Sequence, residues 1–225
     1  MTIRAVFFDV GGTLIRPYPS VGALYAQAAA RYGLTVPDAR MQAAFSEEFA
    51  VRGTLGERGP ITDADEREWW RGLVAAVVGR FGRIDRFDAF FTELYGLFAR
   101  PEAWRVFTEV PGVLEALARR GLVLGVVSNW DSRLRPLLES LGLARHFSFI
   151  LASAPFGYAK PDRRIFDEAV RLSGVRPDEA LHVGDSVSDD YQGALRAGLA
   201  AALVDRRENV QAGAFSDLRG LPRLV

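Results

Sequence analysis

Asp9 ends an apolar run that begins at Ile3 and is broken only by Arg4, and Gly11-Gly12-Thr13 follows it at once. A second apolar run ends in Ser128-Asn129, and a third ends in Gly184-Asp185, with Asp189 and Asp190 close behind. Carboxylates gathered in one place repel unless one is protonated or a cation bridges them. Hard oxygen donors with room for water and for a substrate oxygen suit Mg²⁺. Of the 28 basic residues, Lys160 is the single lysine. A compact ammonium and a planar guanidinium are not interchangeable in a tight site, so the surviving lysine reads as functional. Cation, ammonium and clustered acids together ask for an anionic partner, and a dianionic phosphate is the natural one.

Each residue also has a plainer use. A strand-end aspartate often caps a helix, and Ser128-Asn129 with Asp131 could form a turn and N-cap. Asp189 and Asp190 would both suit the first turn of a helix, and Gly11-Gly12 would suit any tight turn. The ordered set carries the argument, because the elements around it predict that these residues meet.

Apolar runs at 3–8, 122–128, 147–153, 180–185 and 200–205 read as buried strands, with helices of about ten residues between the later ones. Such alternation predicts βαβ units and a parallel sheet: an α/β, Rossmann-like three-layer core. Residues from about 20 to 100 instead show three- and four-residue apolar spacing, which predicts an inserted all-helical unit. The boundaries are read as 1–16 with 100–225 for the core and 17–99 for the insert. In open parallel sheets, ligands bind beyond the carboxyl ends of the strands near the topological switch point. Asp9, Ser128, Lys160 and Asp185 all fall at such ends. Helix N-termini expected after Thr13, Asp131 and Pro161 would add backbone donors for an anion.

At 225 residues the chain can bury a substantial core. Its formal net charge is zero, so no strong field recruits nucleic acid or acidic membranes. It has no cysteine, which removes disulfides and thiolate chemistry. No apolar stretch is long enough to span a membrane, and the N-terminal run does not read as a signal peptide. A cytoplasmic protein without nucleic-acid or membrane partners is expected, monomeric or homodimeric.

The four stretches resemble, in order, the motifs of the haloacid dehalogenase-like superfamily: FFDVGGTL, VVSN, KPD and HVGDSVSDD. The resemblance implies a helical cap domain at 17–99 and phosphatase activity through an aspartyl-phosphate on Asp9. It implies catalytic roles for Asp9, Ser128 and Lys160, with Gly12, Thr13 and Asn129 at the substrate. Mg²⁺ would be held by Asp9, the Gly11 carbonyl, Asp185 and Asp190, with Asp190 favoured over Asp189. A small phosphorylated molecule is the implied partner. Loops near Arg16-Pro17 and Pro101 are the expected hinges of the cap.

The chain departs from that pattern at Gly11, where family phosphatases carry an aspartate as general acid and base. A lost general acid costs about 10²–10⁴-fold in rate. A slow or non-catalytic Mg²⁺-binding protein is therefore the alternative. A 2-haloacid dehalogenase is the lesser one, since that branch carries tyrosine at the Gly11 place and serine at the Asp185 place. In the cap, Tyr18, Arg52, Arg58, Trp69 and Trp70 are candidates to face the pocket. Because adjacent residues on a helix diverge, at least one tryptophan is expected in core or interface. Trp130 is expected at the site mouth, and His182 as a satisfied core histidine.

Overall fold

A computed structural model describes residues 2–53, 59–206 and 213–225. Strand β1 (Ala5–Phe8) leads through a tight turn into β2 (Ile15–Pro17). Helices α1 (Val21–Ala30), α2 (Asp38–Arg52), α3 (Asp63–Gly79) and α4 (Phe87–Leu97) come next. Strand β3 (Trp104–Val106) then returns the chain by pairing antiparallel with β2. The remainder alternates through α5 (Val110–Arg119), β4 (Val123–Ser128), α6 (Leu134–Ser140), β5 (Phe149–Ala152), the single turn α7 (Ser153–Phe156), α8 (Arg163–Ser173) and β6 (Ala180–Gly184). A π-helical turn over Val187–Gln192, α9 (Gly193–Arg196), β7 (Ala200–Leu203) and a 3₁₀ stretch at Leu218–Arg223 complete it.

The main sheet is parallel throughout, in the order β5-β4-β1-β6-β7. Chain growth runs outward through β4 and β5 on one side of β1 and through β6 and β7 on the other. The sequence order therefore reverses at β1, which places Asp9 at the switch point where open α/β sheets bind ligands.

Side chains on a strand alternate between faces, and β1 uses both. Val6 and Phe8 pack with Leu114 and Leu117 of α5 and Leu137 of α6, while Ala5 and Phe7 pack with Ile165, Phe166 and Ala169 of α8. The result is the expected three-layer α/β core. Full burial of an aromatic such as Phe7 or Phe8 contributes on the order of 2–3 kcal/mol. Asp162 caps α8 by accepting from the Arg164 N–H at 2.9 Å.

Helices α1–α4 bury a separate apolar cluster that includes Tyr25, Met41, Leu73, Val77, Phe90 and Leu94. Helix α3 begins with a capping box between Thr62 and Asp65. The β2–β3 ribbon, which pairs Arg16 with Arg105 and Pro17 with Trp104, joins this helical unit to the sheet. The positions expected as hinges near Arg16-Pro17 lie on that ribbon.

One expected feature is absent. The chain after Thr13 forms β2, so no helix N-terminus follows that residue. The local reason is a tight turn in which the Ile15 N–H donates to the Val10 carbonyl at 3.0 Å and the Gly12 N–H to the Ile15 carbonyl at 2.8 Å.

Candidate active site

The carboxyl ends of β1, β4 and β6 and the loop before α8 converge on one buried constellation. The Lys160 ammonium donates to Asp9 Oδ1 at 2.8 Å and to Asp190 Oδ1 at 2.5 Å. The Ser128 hydroxyl donates to the same Asp9 oxygen at 2.9 Å. Asn129 grips the Lys160 backbone twice: its Nδ2 donates to the Lys160 carbonyl at 2.9 Å, and its Oδ1 accepts from the Lys160 N–H at 2.7 Å. This pair of hydrogen bonds spends the Asn129 side chain on positioning the lysine. Asp190 Oδ1 also meets His182 Nε2 at 2.8 Å, and Oδ2 accepts from the Ser186 N–H at 3.0 Å.

Two glycines make room for the acids. A Cβ on Gly184 would overlap the Asp190 carboxylate. Gly12 adopts a φ of +77°, and a Cβ there would overlap the Asp185 carboxylate. The π-helical turn sends the neighbouring acids in different directions. Asp190 is buried against Lys160, whereas Asp189 accepts a bond from the Ser188 hydroxyl at 2.9 Å, away from the lysine.

One ammonium faces three carboxylates, and the titrations reflect the imbalance. Burial pushes the Asp9 carboxyl above its ordinary range, with Lys160 pulling the other way. Burial also opposes the Asp190 anion, but Lys160 and then His182 outweigh it and hold that carboxyl well below the usual range. Lys160 is itself held in its charged form, because Asp190 and Asp9 overcome its desolvation. The Asp185 carboxyl is pushed up to about 7 by burial and by the charges of Asp9 and Asp190.

One oxygen from each of Asp9, Asp185 and Asp190 lies within 4.8 Å of the others. Such a set of hard oxygen donors fits a small divalent cation. The fit is unequal, because both Asp190 oxygens already accept hydrogen bonds. Asp185 makes no hydrogen bond to another side chain among the described residues. Gly11 lines the same end of the cavity, and its carbonyl takes no part in the four backbone bonds of the Val10–Ile15 turn.

A cavity of about 350 Å³ opens from these acids toward the helical unit. Gly11, Gly12, Asn129 and Asp185 form its polar end. Phe49, Trp69, Trp70, Tyr95, Trp104 and Trp130 wall much of the rest. Thr13 does not reach it: the side chain is fully buried, and its hydroxyl has no partner among the described residues. Trp130 lines the mouth as expected, and its ring lies 3.3 Å from where a Gly11 Cβ would stand.

Trp69 and Trp70 both border the cavity, their rings meeting edge-on at 4.9 Å, and both also pack against the apolar cluster of the helical unit, as expected of at least one of them. Several other expectations need correction. Tyr18 lies outside the cavity, partly exposed under the Arg105 guanidinium at 4.0 Å. Arg52 sits over the Trp69 ring at 5.8 Å and does not line the space. Arg58 falls outside the described residues. The helix ends after Asp131 and Pro161 are already occupied: Asp131 accepts from the Arg133 N–H at 3.0 Å, and Asp162 caps α8. His182 is only half satisfied, since its buried Nδ1 has no partner among the described residues. Its contact with Asp190 had only a weak sequence signal, an alternate-residue position on the strand that delivers Asp185.

A family model described as haloacid dehalogenase-like hydrolase matches residues 3–198. The chain is 35% identical over 209 residues to haloacid dehalogenase-like hydrolase domain-containing protein 3 of Danio rerio, covering 92% of this chain and 86% of that protein. It is 29% identical over 218 residues to glyceraldehyde 3-phosphate phosphatase of Methanothermobacter thermautotrophicus, covering 90% and 86%. Among solved structures, a 2-haloacid dehalogenase from Pseudomonas syringae superposes with a TM-score of 0.68 at 25% identity, covering 99% and 98%.

Proposed function

The chain belongs to the haloacid dehalogenase-like hydrolases, and from that membership we propose that it hydrolyses phosphate monoesters with Mg²⁺, using Asp9 as a covalent nucleophile. The observation that carries this reading is the Asp9, Asp185 and Asp190 cluster set around one buried ammonium. It has the charge of a cation site and the nucleophile of a phosphoryl-transfer site.

Lys160 and Ser128 both bind Asp9 Oδ1, which leaves the lone pairs of Oδ2 for attack. The Asp9–phosphorus bond forms as the ester P–O bond breaks, and the leaving oxygen takes the electron pair. Water then attacks phosphorus, releasing inorganic phosphate and restoring the Asp9 carboxylate. Lys160 offsets the charge that gathers on the phosphoryl oxygens. Asn129 holds Lys160 in place through its backbone. A Mg²⁺ held by Asp9, Asp185 and the Gly11 carbonyl, with Asp190 behind them, would neutralise charge and orient the phosphoryl group. Helices α1–α4, within residues 17–99, act as a cap that closes the cavity over the substrate.

Acetyl phosphate and p-nitrophenyl phosphate, each with Mg²⁺ or EDTA, test the reading beside Asp9→Asn. Hydrolysis should require Mg²⁺ and fall by at least about 10³-fold in the variant, as expected for a lost nucleophile. A variant that keeps full activity would remove Asp9 from the mechanism. The absence of a side chain at Gly11 favours a second reading, a slow or non-catalytic Mg²⁺-binding protein. Silence toward both substrates, with Mg²⁺ still binding through Asp185, would select it. Chloride release from 2-chloropropionate would instead favour carbon chemistry.

A further inference from the structure

The wall of the cavity opposite the acids is aromatic, and its charged pair, Asp131 and Arg133, is already committed. Asp131 Oδ2 accepts from Trp70 Nε1 at 2.6 Å and from Arg133 Nη2 at 2.5 Å, while Oδ1 accepts from Arg133 Nε at 3.0 Å. Arg133 Nη1 donates to the Tyr95 carbonyl at 3.1 Å, and the guanidinium lies 3.9 Å from the Tyr95 ring centre. A hydroxylated or zwitterionic leaving group placed here would shed water and find few free partners, which is costly. A flat apolar group would instead meet ring faces and edges. Phe49 and Trp70 lie near-parallel at 6.3 Å, and Trp104 and Trp130 pack at 5.1 Å.

The second observation concerns protons. Among the described residues, no acid outside the proposed metal ligands stands free beside the leaving oxygen. Gly11 has no side chain, and Trp130 crowds the space where one would project, its ring 3.3 Å from the position of a Cβ. Both Asp131 oxygens are accepting hydrogen bonds and offer no O–H in this arrangement. Tyr25 and Tyr95 border the chamber, but burial makes both hydroxyls weaker acids than usual. A leaving group must then depart as its anion. A phenolate, with a conjugate-acid pKa of about 10, departs far more easily than an alkoxide, whose conjugate acid resembles water at about 16.

We propose that the substrate is an aryl phosphate monoester, whose planar apolar leaving group fills the chamber between α2, α3, α4 and Trp130. The inference rests on the phosphoryl-transfer reading above. The aryl P–O bond breaks with its electron pair going to the phenolate oxygen, which takes a proton from water on release. Asp9 receives the phosphoryl group and passes it to water. At about 350 Å³, the chamber is at the small end of ligand pockets, which suits one or two fused rings.

Steady-state rates with Mg²⁺ on β-naphthyl phosphate, acetyl phosphate, glycerol phosphate and phosphoserine provide the test. Acetyl phosphate has a good leaving group but no ring, so it reports phosphoryl transfer independently of the chamber. The kcat/KM for β-naphthyl phosphate should exceed that for glycerol phosphate by at least about 100-fold, combining ring burial with leaving-group ability. Trp69→Leu should lower the ratio of β-naphthyl to acetyl phosphate kcat/KM by about tenfold, a ratio that cancels any general loss of folded protein. Equal rates on glycerol phosphate and β-naphthyl phosphate, with Asp9-dependent acetyl phosphate cleavage intact, would overturn the inference and leave phosphoryl transfer standing. A binding readout completes the test. Non-hydrolysable p-nitrophenylphosphonate should quench the tryptophan emission of the full chain saturably, and inorganic phosphate should not. Absence of quenching would reject the aromatic chamber even if no substrate turned over.

Discussion

Lys160 holds together two buried carboxylates that otherwise have no cation among the described side chains. Removing one partner of such a set strands the remaining charges, which costs about 3–5 kcal/mol. For a chain of this size each kcal/mol moves the melting temperature by about 2–4 °C, so Lys160→Met should melt on the order of 10 °C lower in EDTA. An unchanged melt would mean that Asp9 and Asp190 relax by protonation at no cost. Gly12 gives a different signature. Alanine there would have to adopt a left-handed backbone, at a cost of about 1–2 kcal/mol, and would displace the Asp185 carboxylate. Gly12→Ala should therefore weaken Mg²⁺ binding by at least about tenfold in calorimetric titration, beyond any loss in melting temperature. Unaltered affinity would take Asp185 out of the metal set. Gly11→Asp should raise turnover of glycerol phosphate only when Trp130→Ala clears the space its side chain needs, by up to about 10²-fold if the carboxyl then acts as a general acid. A full gain from Gly11→Asp alone would show that Trp130 yields readily.

At the scale of elements, the strands were legible because buried parallel strands are short, continuous apolar runs that end in polar residues. Asp9, Ser128 and Asp185 could be placed together from that alone. The π-helical turn was not legible. The stretch from Asp189 to Gly198 reads as ordinary helix, and only the fold shows the wide turn that buries Asp190 beside Lys160. The tryptophan pair was legible only in part: periodicity places a tryptophan against the apolar cluster, where both pack, but does not say that a cavity wraps around that edge. Contact between α3 and the loop after β4 was equally hidden, since it joins residues remote in sequence. There the Glu66 carboxylate accepts from the Ser132 N–H at 3.1 Å and from its hydroxyl at 2.6 Å. Burial raises the Glu66 carboxyl above its ordinary 4.5 despite those bonds. The folded chain thus holds this proton more tightly than the unfolded chain, so the contribution is complete below pH 4.5 and is lost as pH rises through the folded value. Glu66→Gln removes that dependence. Denaturant midpoints taken from about pH 4 to 7 should fall more steeply for the wild type than for the variant. Parallel curves would place Glu66 in an environment as hydrated as the unfolded chain.

Across the whole molecule, two apolar cores flank the sheet, a third lies within the helical unit, and the acid cluster sits between the sheet and that unit. The layered sheet was readable from alternation and length. The aromatic chamber was not, because its walls come from α2, α3, α4, the β2–β3 ribbon and the loop after β4, and no sequence period links them. The same placement has a thermodynamic consequence. Asp9, Asp185 and Asp190 come from β1, β6 and the turn after it, so the three carboxylates converge only in the folded chain. A cation that bridges them binds the native state and hardly binds the unfolded one. Stability should then rise as RT ln(1 + [Mg²⁺]/Kd), about 2.7 kcal/mol at a hundredfold excess over Kd, or roughly 5–10 °C in melting temperature for a chain of this length. The shift should grow logarithmically with Mg²⁺, disappear on adding EDTA, and shrink in Asp185→Asn, whose amide is a neutral and weaker ligand. Asp185→Asn also relieves repulsion of Asp9, so its metal-free melting temperature should equal or exceed that of the wild type. A mutant that is stabler without metal and less responsive to it would tie both effects to one carboxylate. A Mg²⁺ shift of equal size in wild type and variant would place the bound ion elsewhere on the molecule.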